Sequence, residues 1–470
     1  MSRTGCAATV LAPQNIPSLP AWRRLGARVR FGLRALGVTQ AAALAGCGIA
    51  WLAIRASGPP AGRTARFARR LGRTLGRLRG PFAKLGQFAS LRVDLVAPEL
   101  REALVALRDH VPPIPFPWVR QVIEAELAAP LAARFAEIDP IPLGAASIAQ
   151  VHTARLPDGR PVVVKVQYPW LAGSRGADLT WIRLGLRTAL GREALGPWLA
   201  EFAQGLAEEL DFRHEARVAG EIAANLAGDA QVVVPRVIGS HSAGRVLTME
   251  RWPTLSLGDP AALDRRGISR AQVLEVVVRA YARQIFSDGL FHADPHPGNL
   301  FVIDEPEAAL TPRVLFVDFG LSKRLAPELA RELRLGMLAL LARDLDGFLA
   351  GMQRLGCIAP GAEPRVREAV ASMFARLRAE AAGPLGLGAE RILALKDEAK
   401  RLLYETPGLA LPTDLLLYAK TLSYLFALAR ELAPEVDPMR LSVPHLLRFL
   451  AQRDGPAATN VSASGAPGAG

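Results

Sequence analysis

Two short motifs past the middle of the chain constrain its fold more than any other feature. The segment F-H-A-D-P-H-P-G-N-L occupies Phe291–Leu300, and V-D-F-G-L occupies Val317–Leu321. Within them, Asp294 precedes Asn299 by five positions, and Asp318 follows Asn299 by 19. This order and spacing are typical of a phosphoryl-transfer site, where catalysis rests on positioning and on electrostatic stabilisation of phosphates.

The residue types in the two motifs fit that chemistry. Asn299 and Asp318 carry oxygen atoms suited to Mg2+, an ion that keeps few protein ligands and several waters. Asp294 is placed to accept a proton or to orient a nucleophile. We therefore predict Asn299 and Asp318 as metal ligands and Asp294 as the catalytic carboxylate. The alternative is that the two aspartates only cap helices.

A lysine in an apolar strand pattern lies upstream of these motifs. Two β-rich runs, Ala146–Arg155 and Pro161–Gln167, flank the turn signal P-D-G and predict a hairpin. Lys165 lies in the second run, where a buried ammonium is costly unless it is paired. In kinases, such a strand lysine contacts the nucleotide phosphates and pairs with a helical glutamate. The alternative is a strand-edge lysine that reaches water.

A Glu-rich stretch after the hairpin supplies the partner for that lysine. The pattern predicts a helix over Ala207–Ala223, and Glu215 is our candidate partner. Glu208 and Glu209 are rivals that we place on the same helix. We therefore predict Lys165 and Glu215 as members of the catalytic set.

The segment before the hairpin occupies the place of a phosphate-binding loop. In P-L-G-A-A-S, only Gly144 is glycine, and the alanines after it restrict the backbone where close approach to phosphates is needed. We predict nucleotide contact by this loop and by the backbone around Glu250 and Trp252, the latter at the adenine. The loop residues concerned are Gly144, Ala145, Ala146 and Ser147.

Two further motifs, K-L-G-Q at Lys84–Gln87 and E-L-D at Glu209–Asp211, have no counterpart in ordinary kinases. With them, the chain resembles the UbiB-like (AarF-domain) atypical kinases, which are linked to ubiquinone biosynthesis. The resemblance runs from about Ala65 to Leu450. One departure is that Gly144 leads a loop that usually begins with alanine in the family.

The resemblance implies an α+β, bilobal protein-kinase-like fold with an added N-terminal helical domain. It also implies that the helix of Gln87 packs into the cleft and that Lys84 meets the carboxylates of Glu209 and Asp211. These four residues would gate the cleft, which disfavours phosphorylation of other proteins. The expected domains are a basic segment 1–62, a helical extension 63–130, an N-lobe 131–253, a mainly helical C-lobe 254–452 and a disordered tail 453–470.

Two sequence features agree with a non-protein substrate. The motif His292-Ala293-Asp294 lacks the arginine that would pair with a phosphorylated activation loop. The triplet A-P-E at Ala326–Glu328 begins only six residues after Gly320, which leaves too little chain for an ordinary activation segment. We expect this triplet to start a helix.

The positive charge of the chain is concentrated at its N-terminus. Residues 1–93 contain 16 Lys and Arg and no acid, while the whole chain carries a net charge of +13. Such a segment suits an anionic surface, although an Arg-rich composition throughout the chain is the plainer explanation. Apolar residues at helical spacing, Phe67, Leu71, Leu75 and Leu78, suggest a basic amphipathic helix. The uncharged stretch Ala35–Ile54 is either a membrane span or a buried or interfacial helix.

These observations predict an atypical kinase or ATPase that binds ATP with Mg2+ and supports isoprenoid-quinone or related lipid metabolism. We expect peripheral attachment to an anionic membrane surface or lipid at the cytoplasmic face of a bacterial inner membrane, with quinone-biosynthesis enzymes as partners. No nucleic-acid partner is expected, since few aromatics interleave the basic residues. The alternatives are a small-molecule phosphotransferase of the aminoglycoside or choline type and a non-catalytic nucleotide-sensing scaffold.

Overall fold

A computed structural model describes residues 75, 78–89, 113–189, 192–380, 402–403 and 405–452. The basic segment 1–62 with its stretch Ala35–Ile54, residues 90–112 of the expected helical extension and the tail 453–470 lie outside the described residues. In the part that is described, no helix is long and apolar enough to cross a membrane.

A five-stranded antiparallel sheet forms the smaller lobe. Its path runs β1-β3-β4-β6, and β2 pairs with β3. The strands are β1 Glu137–Ile138, β2 Gly144–Ala145, β3 Ala149–Arg155, β4 Pro161–Gln167 and β6 Val246–Glu250. The predicted hairpin is confirmed, because β3 and β4 pair from Ala149↔Gln167 to Arg155↔Pro161. Gly159 in its turn has φ +87°, a conformation that favours glycine.

Helices cover this sheet and extend it on the N-terminal side. They are α1 Pro81–Ala89, α2 Phe116–Glu126, α3 Leu131–Arg134, α4 Leu171–Ala189, α5 Arg192–Glu209 and α6 Phe212–Leu226. The apolar face of α2 packs on β4, whose valines Val162, Val164 and Val166 are buried. Since β4 is covered on both faces, an uninterrupted apolar run suits it better than an alternating pattern.

The larger lobe is helical around a second sheet that the sequence pattern did not predict. Its helices are α7 Pro260–Arg265, α8 Arg270–Arg283, α9 Pro327–Ala342, α10 Leu345–Arg354, α11 Glu363–Glu380, α12 Thr413–Leu432 and α13 Pro438–Ala451. The sheet runs β5-β10-β9-β7, and β11 pairs with β8. These strands are β5 Val232–Val233, β7 Thr254–Ser256, β8 Leu290–His292, β9 Leu300–Ile303, β10 Val314–Phe316 and β11 Ser322–Arg324. The expected helix start at Ala326 is confirmed.

Helix α6 joins the cores of the two lobes. Phe212 at its start is fully buried in the core of the first sheet, while Ile222 and Leu226 at its end belong to the core of the larger lobe. That second core surrounds α8, which buries residues on most of its circumference. The structure therefore confirms the predicted α+β, two-lobed fold, and α6 is placed to connect the lobes at the cleft.

The N-terminal extension has a small core of its own, and this corrects one expectation. Leu75 and Leu78 are buried beside Phe82, Leu199 and Phe202, where α1 packs on α4 and α5. Half of the apolar stripe of the predicted basic amphipathic helix is therefore protein core and is not free to contact a membrane. An amphipathic pattern reports that one face is buried but does not identify what covers it.

Candidate active site

One ammonium group joins three separate elements at the cleft between the lobes. The Nζ atom of Lys165 donates to both carboxylate oxygens of Glu215, at 2.8 and 3.0 Å. It also donates to Oδ1 of Asp318 at 2.8 Å. Strand β4, helix α6 and the loop after β10 thus meet at a single lysine. Because a buried ammonium is costly unless acids offset its charge, the two carboxylates make this position of Lys165 tolerable.

Local structure explains how each of these side chains is aimed. Lys165 is paired in register with Val151 and Leu247, so the centre of the sheet holds its backbone. Asp318 has φ +61° and ψ 75°, a left-handed conformation that is rare for a residue other than glycine. Phe319 is buried against the imidazole of His292, with ring centroids 5.5 Å apart. Backbone strain of this kind persists where surrounding packing enforces it, and it is concentrated at functional sites.

The electrostatics of this trio follow from two carboxylates sharing one ammonium. Burial opposes charge on Lys165, but Asp318 and Glu215 together hold its pKa above the ordinary value. Burial raises the pKa of Glu215, an effect that Lys165 opposes and the charge of Asp318 reinforces. Burial also disfavours ionisation of Asp318, yet contact with Lys165 holds the pKa of Asp318 below its usual range. Asp318 is thus the more firmly ionised of the two acids, which suits a cation ligand.

The loop between β8 and β9 places Asp294 and Asn299 beside Asp318. The amide nitrogen of Asn299 donates to the backbone oxygen and to Oδ2 of Asp294, both at 3.2 Å. This orientation turns the amide oxygen of Asn299 away from the carboxylate. The backbone N–H of Val317 donates to the Asn299 carbonyl at 3.0 Å, which ties this loop to the strand before Asp318.

His292 links the same two loops from beneath. It is fully buried, and its Nδ1 lies 2.9 Å from the Tyr281 hydroxyl. Its Nε2 lies 3.1 Å from the carbonyl of Val317 and 2.9 Å from that of Asp318. Because carbonyls only accept, we assign the ring proton to Nε2 and the acceptor role to Nδ1. Burial lowers the pKa of His292, and the nearby aspartates oppose that shift. His292 therefore acts as a neutral connector between the loops.

A residue that our sequence analysis missed completes the surroundings of Asp294. Lys420, on α12, places its Nζ 3.2 Å from Oδ1 of Asp294. The hydroxyl of the neighbouring Thr421 lies 3.2 Å from the carbonyl of Ala293 and 2.9 Å from that of Leu417, one turn earlier on α12. A signal was present in the sequence, since Lys420 is the one charged residue between Leu415 and Ala429.

The gating residues divide between two arrangements. Lys84 on α1 forms an ion pair with Glu209 at the end of α5, and each side chain is 14% exposed. Asp211 instead caps α6, accepting from the backbone N–H of Arg213 at 3.1 Å. Gln87 lies on α1, but its side chain is outside the described residues. The structure thus brings together Lys84 and Glu209, while the contact found for Asp211 is with the start of α6.

The same junction corrects our placement of the glutamates. Glu208 and Glu209 end α5, whereas Glu215 lies on α6, so the three do not share a helix. Helix α5 ends before Asp211 and helix α6 begins after it, because the aspartate side chain accepts from a free N–H group in the first turn of the new helix. The apolar Phe212 directly after Asp211 is the sequence signal for this helix start that we overlooked.

The predicted phosphate-binding loop, Gly144–Ser147, is held from two sides. Gly144 and Ala145 form the short strand β2, and the carbonyl of Ala146 accepts from the Tyr168 hydroxyl at 2.7 Å. The carbonyl of Ser147 accepts from the N–H of Gly80, just before α1, at 2.9 Å. The guanidinium of Arg79 lies 5.0 Å from the ring centroid of Tyr168. The extension that carries Lys84 therefore contacts the predicted nucleotide loop directly.

Glu250 lies where the chain leaves the first sheet for the second. Its carboxylate pairs with Arg236 at 3.0 Å, and its backbone N–H donates to the carbonyl of Arg236 at 3.1 Å. Trp252 follows, with the guanidinium of Arg313 5.4 Å from its ring centroid. The adenine contact predicted for this connection stays a prediction.

Part of this residue set lines a cavity of about 540 Å³. Asp294, Asn299, Asp318 and Lys420 line its floor, while α1 and α5 roof it. The roof contributes Lys84, Phe88, Phe202, Leu206, Glu208 and Glu209. Asp294, Asn299 and Asp318 thus face a partly open space bordered by the N-terminal extension, whereas Lys165 and Glu215 are not among its lining residues.

The donor set fits Mg2+ when tested by its chemistry. The Asp318 carboxylate and the Asn299 amide oxygen are hard oxygen donors on one side of the cavity. Asp318 is held ionised by Lys165. Two protein oxygens suffice for an ion that completes its shell with water and phosphate oxygens.

Comparison with known proteins identifies the architecture. The model of the ABC1 atypical kinase-like domain matches residues 106–351. The "Probable protein kinase UbiB" of Marinobacter nauticus is 32% identical over 388 residues, which cover 80% of this chain and 69% of that protein. The proteins of the same name from Xanthomonas campestris and Xylella fastidiosa are 34% and 33% identical, covering 80% and 83% of this chain and 69% and 70% of theirs.

The chain belongs to the ABC1 (UbiB) atypical kinase-like family. The resemblance drawn from the motifs is therefore confirmed, and the chain is a kinase-type protein of this family. A solved structure titled as the complex of Rv3197 and erythromycin from Mycobacterium tuberculosis is 24% identical, with a TM-score of 0.46. It covers 76% of this chain and 93% of that chain. The roles assigned to single site residues stay predictions that the geometry makes specific.

Proposed function

We propose that this protein is an atypical kinase or ATPase that binds ATP with Mg2+. The observation that carries the proposal is the contact of the Lys165 ammonium with both Glu215 and Asp318, since Asp318 in turn lines one cavity with Asn299 and Asp294. A lysine, a helical glutamate and a metal-binding aspartate are the parts that phosphoryl transfer from a nucleotide requires. The family membership supports a kinase-type reaction.

Each residue has a definite task in this proposal. Lys165 binds nucleotide phosphates, and Glu215 holds the lysine in position. Asn299 and Asp318 hold Mg2+, which when bound offsets negative charge on the phosphate oxygens. Asp294 orients the acceptor hydroxyl and takes its proton, while a new bond forms from the acceptor oxygen to the γ-phosphorus. The bond from that phosphorus to the bridging oxygen breaks, and ADP leaves with the electron pair.

The acceptor in this proposal is water or a small molecule. Helices α1 and α5 roof the cavity, and the Lys84–Glu209 pair closes it over the catalytic carboxylates. A peptide segment would need this roof to move. The apolar side chains of Phe88, Phe202 and Leu206 beside the acids would suit an acceptor with both polar and apolar parts.

The biological setting in our proposal is isoprenoid-quinone or related lipid metabolism at an anionic membrane surface, with quinone-biosynthesis enzymes as partners. The motif resemblance and the name of the similar bacterial proteins support the metabolic part. The acid-free, Arg-rich residues 1–93 support the membrane part and a location at the cytoplasmic face of a bacterial inner membrane.

The deciding experiment is incubation of the purified protein with labelled ATP, Mg2+ and a total lipid extract. We expect Mg2+-dependent release of phosphate or transfer of label to a lipid-soluble acceptor, and loss of both in Asp318→Asn. Transfer of label to choline or an aminoglycoside, when either replaces the lipid extract, would favour the small-molecule phosphotransferase. Nucleotide binding without turnover under all conditions would favour the non-catalytic scaffold.

A further inference from the structure

We propose that Lys420 is a positioning residue for Asp294, a role that rests on the proposed phosphoryl-transfer function. Lys420 comes from α12, more than a hundred residues after the motif that it touches. It belongs neither to the kinase-like motifs nor to the motifs that carry the family resemblance.

The first observation is that Lys420 lies in a largely apolar helix. The buried Leu416 and Leu417 lie one turn before Lys420 on α12. The Lys420 side chain is 11% exposed. A lysine at such a position is costly unless an acid offsets its charge. Its cleft-side acid is Asp294, at 3.2 Å.

The second observation is that Asp294 is held through both oxygens. Oδ1 pairs with the ammonium of Lys420, and Oδ2 accepts a hydrogen bond from the side-chain amide of Asn299, each at 3.2 Å. One donor comes from the same loop, and the other comes from a helix that packs beneath it. The two contacts fix the plane of the carboxylate, which a single contact would leave free to rotate.

The third observation is that α12 binds the backbone of the same loop. Thr421 is fully buried, and its hydroxyl lies 3.2 Å from the carbonyl of Ala293 and 2.9 Å from the carbonyl of Leu417 on its own helix. Lys420 and Thr421, which are consecutive on α12, thus contact the consecutive loop residues Asp294 and Ala293. A carboxylate that must orient an acceptor hydroxyl needs such support, because small misplacement of reacting groups is costly in rate.

The fourth observation is that Lys420 faces the cavity. It lines the same space as Asp318 and Asn299. Its charge therefore lies at Asp294, while the charge of Lys165 lies at Glu215 and Asp318. We infer that Lys420 holds Asp294 in the orientation that transfer requires.

Steady-state turnover of Mg-ATP, with water or lipid extract as the acceptor, tests this inference in the full chain. We expect Lys420→Met to lower kcat by about 10- to 100-fold and to leave KM for Mg-ATP within about twofold. Lys420→Arg should recover part of kcat, since it keeps a cation at the carboxylate. The matched control is Arg430→Met, which removes an exposed cation from the same helix and should leave kcat unchanged.

A double substitution separates positioning from a merely structural role. In an Asp294→Asn background, adding Lys420→Met should leave the residual turnover unchanged, because the carboxylate through which Lys420 acts is gone. Independent, multiplicative losses would overturn the inference, as would an active Lys420→Met protein indistinguishable from Arg430→Met. A joint loss of melting temperature and of Mg-ATP binding in Lys420→Met, not relieved in Lys420→Arg, would also overturn it. A wild type that neither binds nor hydrolyses Mg-ATP would instead reject the proposed function itself.

Discussion

The Lys165 ammonium lies 2.8 Å from a carboxylate oxygen of Asp318, across the cleft between the two lobes. The same ammonium contacts Glu215, so that a residue of the smaller lobe is bound directly to the predicted metal-ligand loop of the larger lobe. A nucleotide with Mg2+ would bring phosphate to the lysine and a cation to the aspartate. The contact therefore marks where both components would bind.

Nucleotide with Mg2+ should raise the melting temperature of the protein. Binding to the folded state alone stabilises it by about 2.7 kcal/mol when the ligand is 100-fold above Kd. Asp318→Asn should abolish the shift, since it removes the charged metal ligand. Asp346→Asn, on an exposed part of α10, is the control and should keep the shift. Differential scanning fluorimetry makes the comparison, and an undiminished shift in Asp318→Asn would refute the metal assignment.

The pH dependence of stability should report the buried His292. Burial lowers its folded-state pKa, so the unfolded chain binds the proton more readily. Its contribution is present above the unfolded-state pKa of about 6.5 and is lost as pH falls below it, by at most about 1.4 kcal/mol per pH unit. His292→Leu should lack this component and lose about 3 kcal/mol at pH 8, because Tyr281 and two carbonyls lose their partner.

Urea unfolding of wild type and His292→Leu between pH 5 and 8 checks this prediction. His152 is also buried with a lowered pKa, so the relevant quantity is the difference between the two proteins. That difference should shrink as the pH falls. A constant difference would mean that the pKa of His292 is the same in the folded and unfolded protein, and a difference that grows as the pH falls would mean that folding raises it; either result contradicts the prediction.

Closure of the cavity by Lys84 and Glu209 should respond to charge exchange. Lys84→Glu places two acids at a largely buried contact and should destabilise the protein by about 1–3 kcal/mol. Lys84→Glu with Glu209→Lys should restore most of that loss, which thermal unfolding measures. Wild type should not phosphorylate casein or similar proteins, and brisk phosphorylation of them would contradict the closed roof.

Much of the site was predictable from sequence, because its charged side chains are costly to bury without a partner. An ammonium in a valine-rich strand demands an acid, and that reasoning led from Lys165 to Glu215. The same reasoning applied to Lys420 would have flagged that residue. It would not have named Asp294 as the partner, since pairing across 126 positions is set by helix packing.

Other features lay beyond the pattern for physical reasons. The strands that flank the catalytic loops have three or four residues each, too few for an alternating pattern to emerge. The burial of Leu75 and Leu78 depends on α4 and α5, which lie a hundred residues further along the chain. A periodic apolar pattern indicates that one face of a helix is buried. Only the tertiary structure shows whether protein or another phase covers that face.

Peripheral binding to anionic membranes is expected to depend on charge rather than on the apolar stripe. Leu75 and Leu78 are buried in protein, so the arginines of residues 1–74 carry the expected attraction. Each base near an anionic surface contributes about 1 kcal/mol. About eight engaged bases would give micromolar affinity, falling with salt because exposed charges are screened.

Liposome sedimentation of two variants with equal charge change tests this expectation. The first replaces five N-terminal arginines by Gln, namely Arg23, Arg24, Arg28, Arg30 and Arg34. The control replaces five exposed C-lobe arginines, namely Arg265, Arg266, Arg365, Arg367 and Arg440. Wild type and control should bind anionic but not neutral vesicles and detach in salt, and the first variant should bind poorly. Resistance to salt and carbonate would favour a span at Ala35–Ile54 instead. Equal weakening in both variants would mean that net charge, and not the N-terminal segment, sets the affinity.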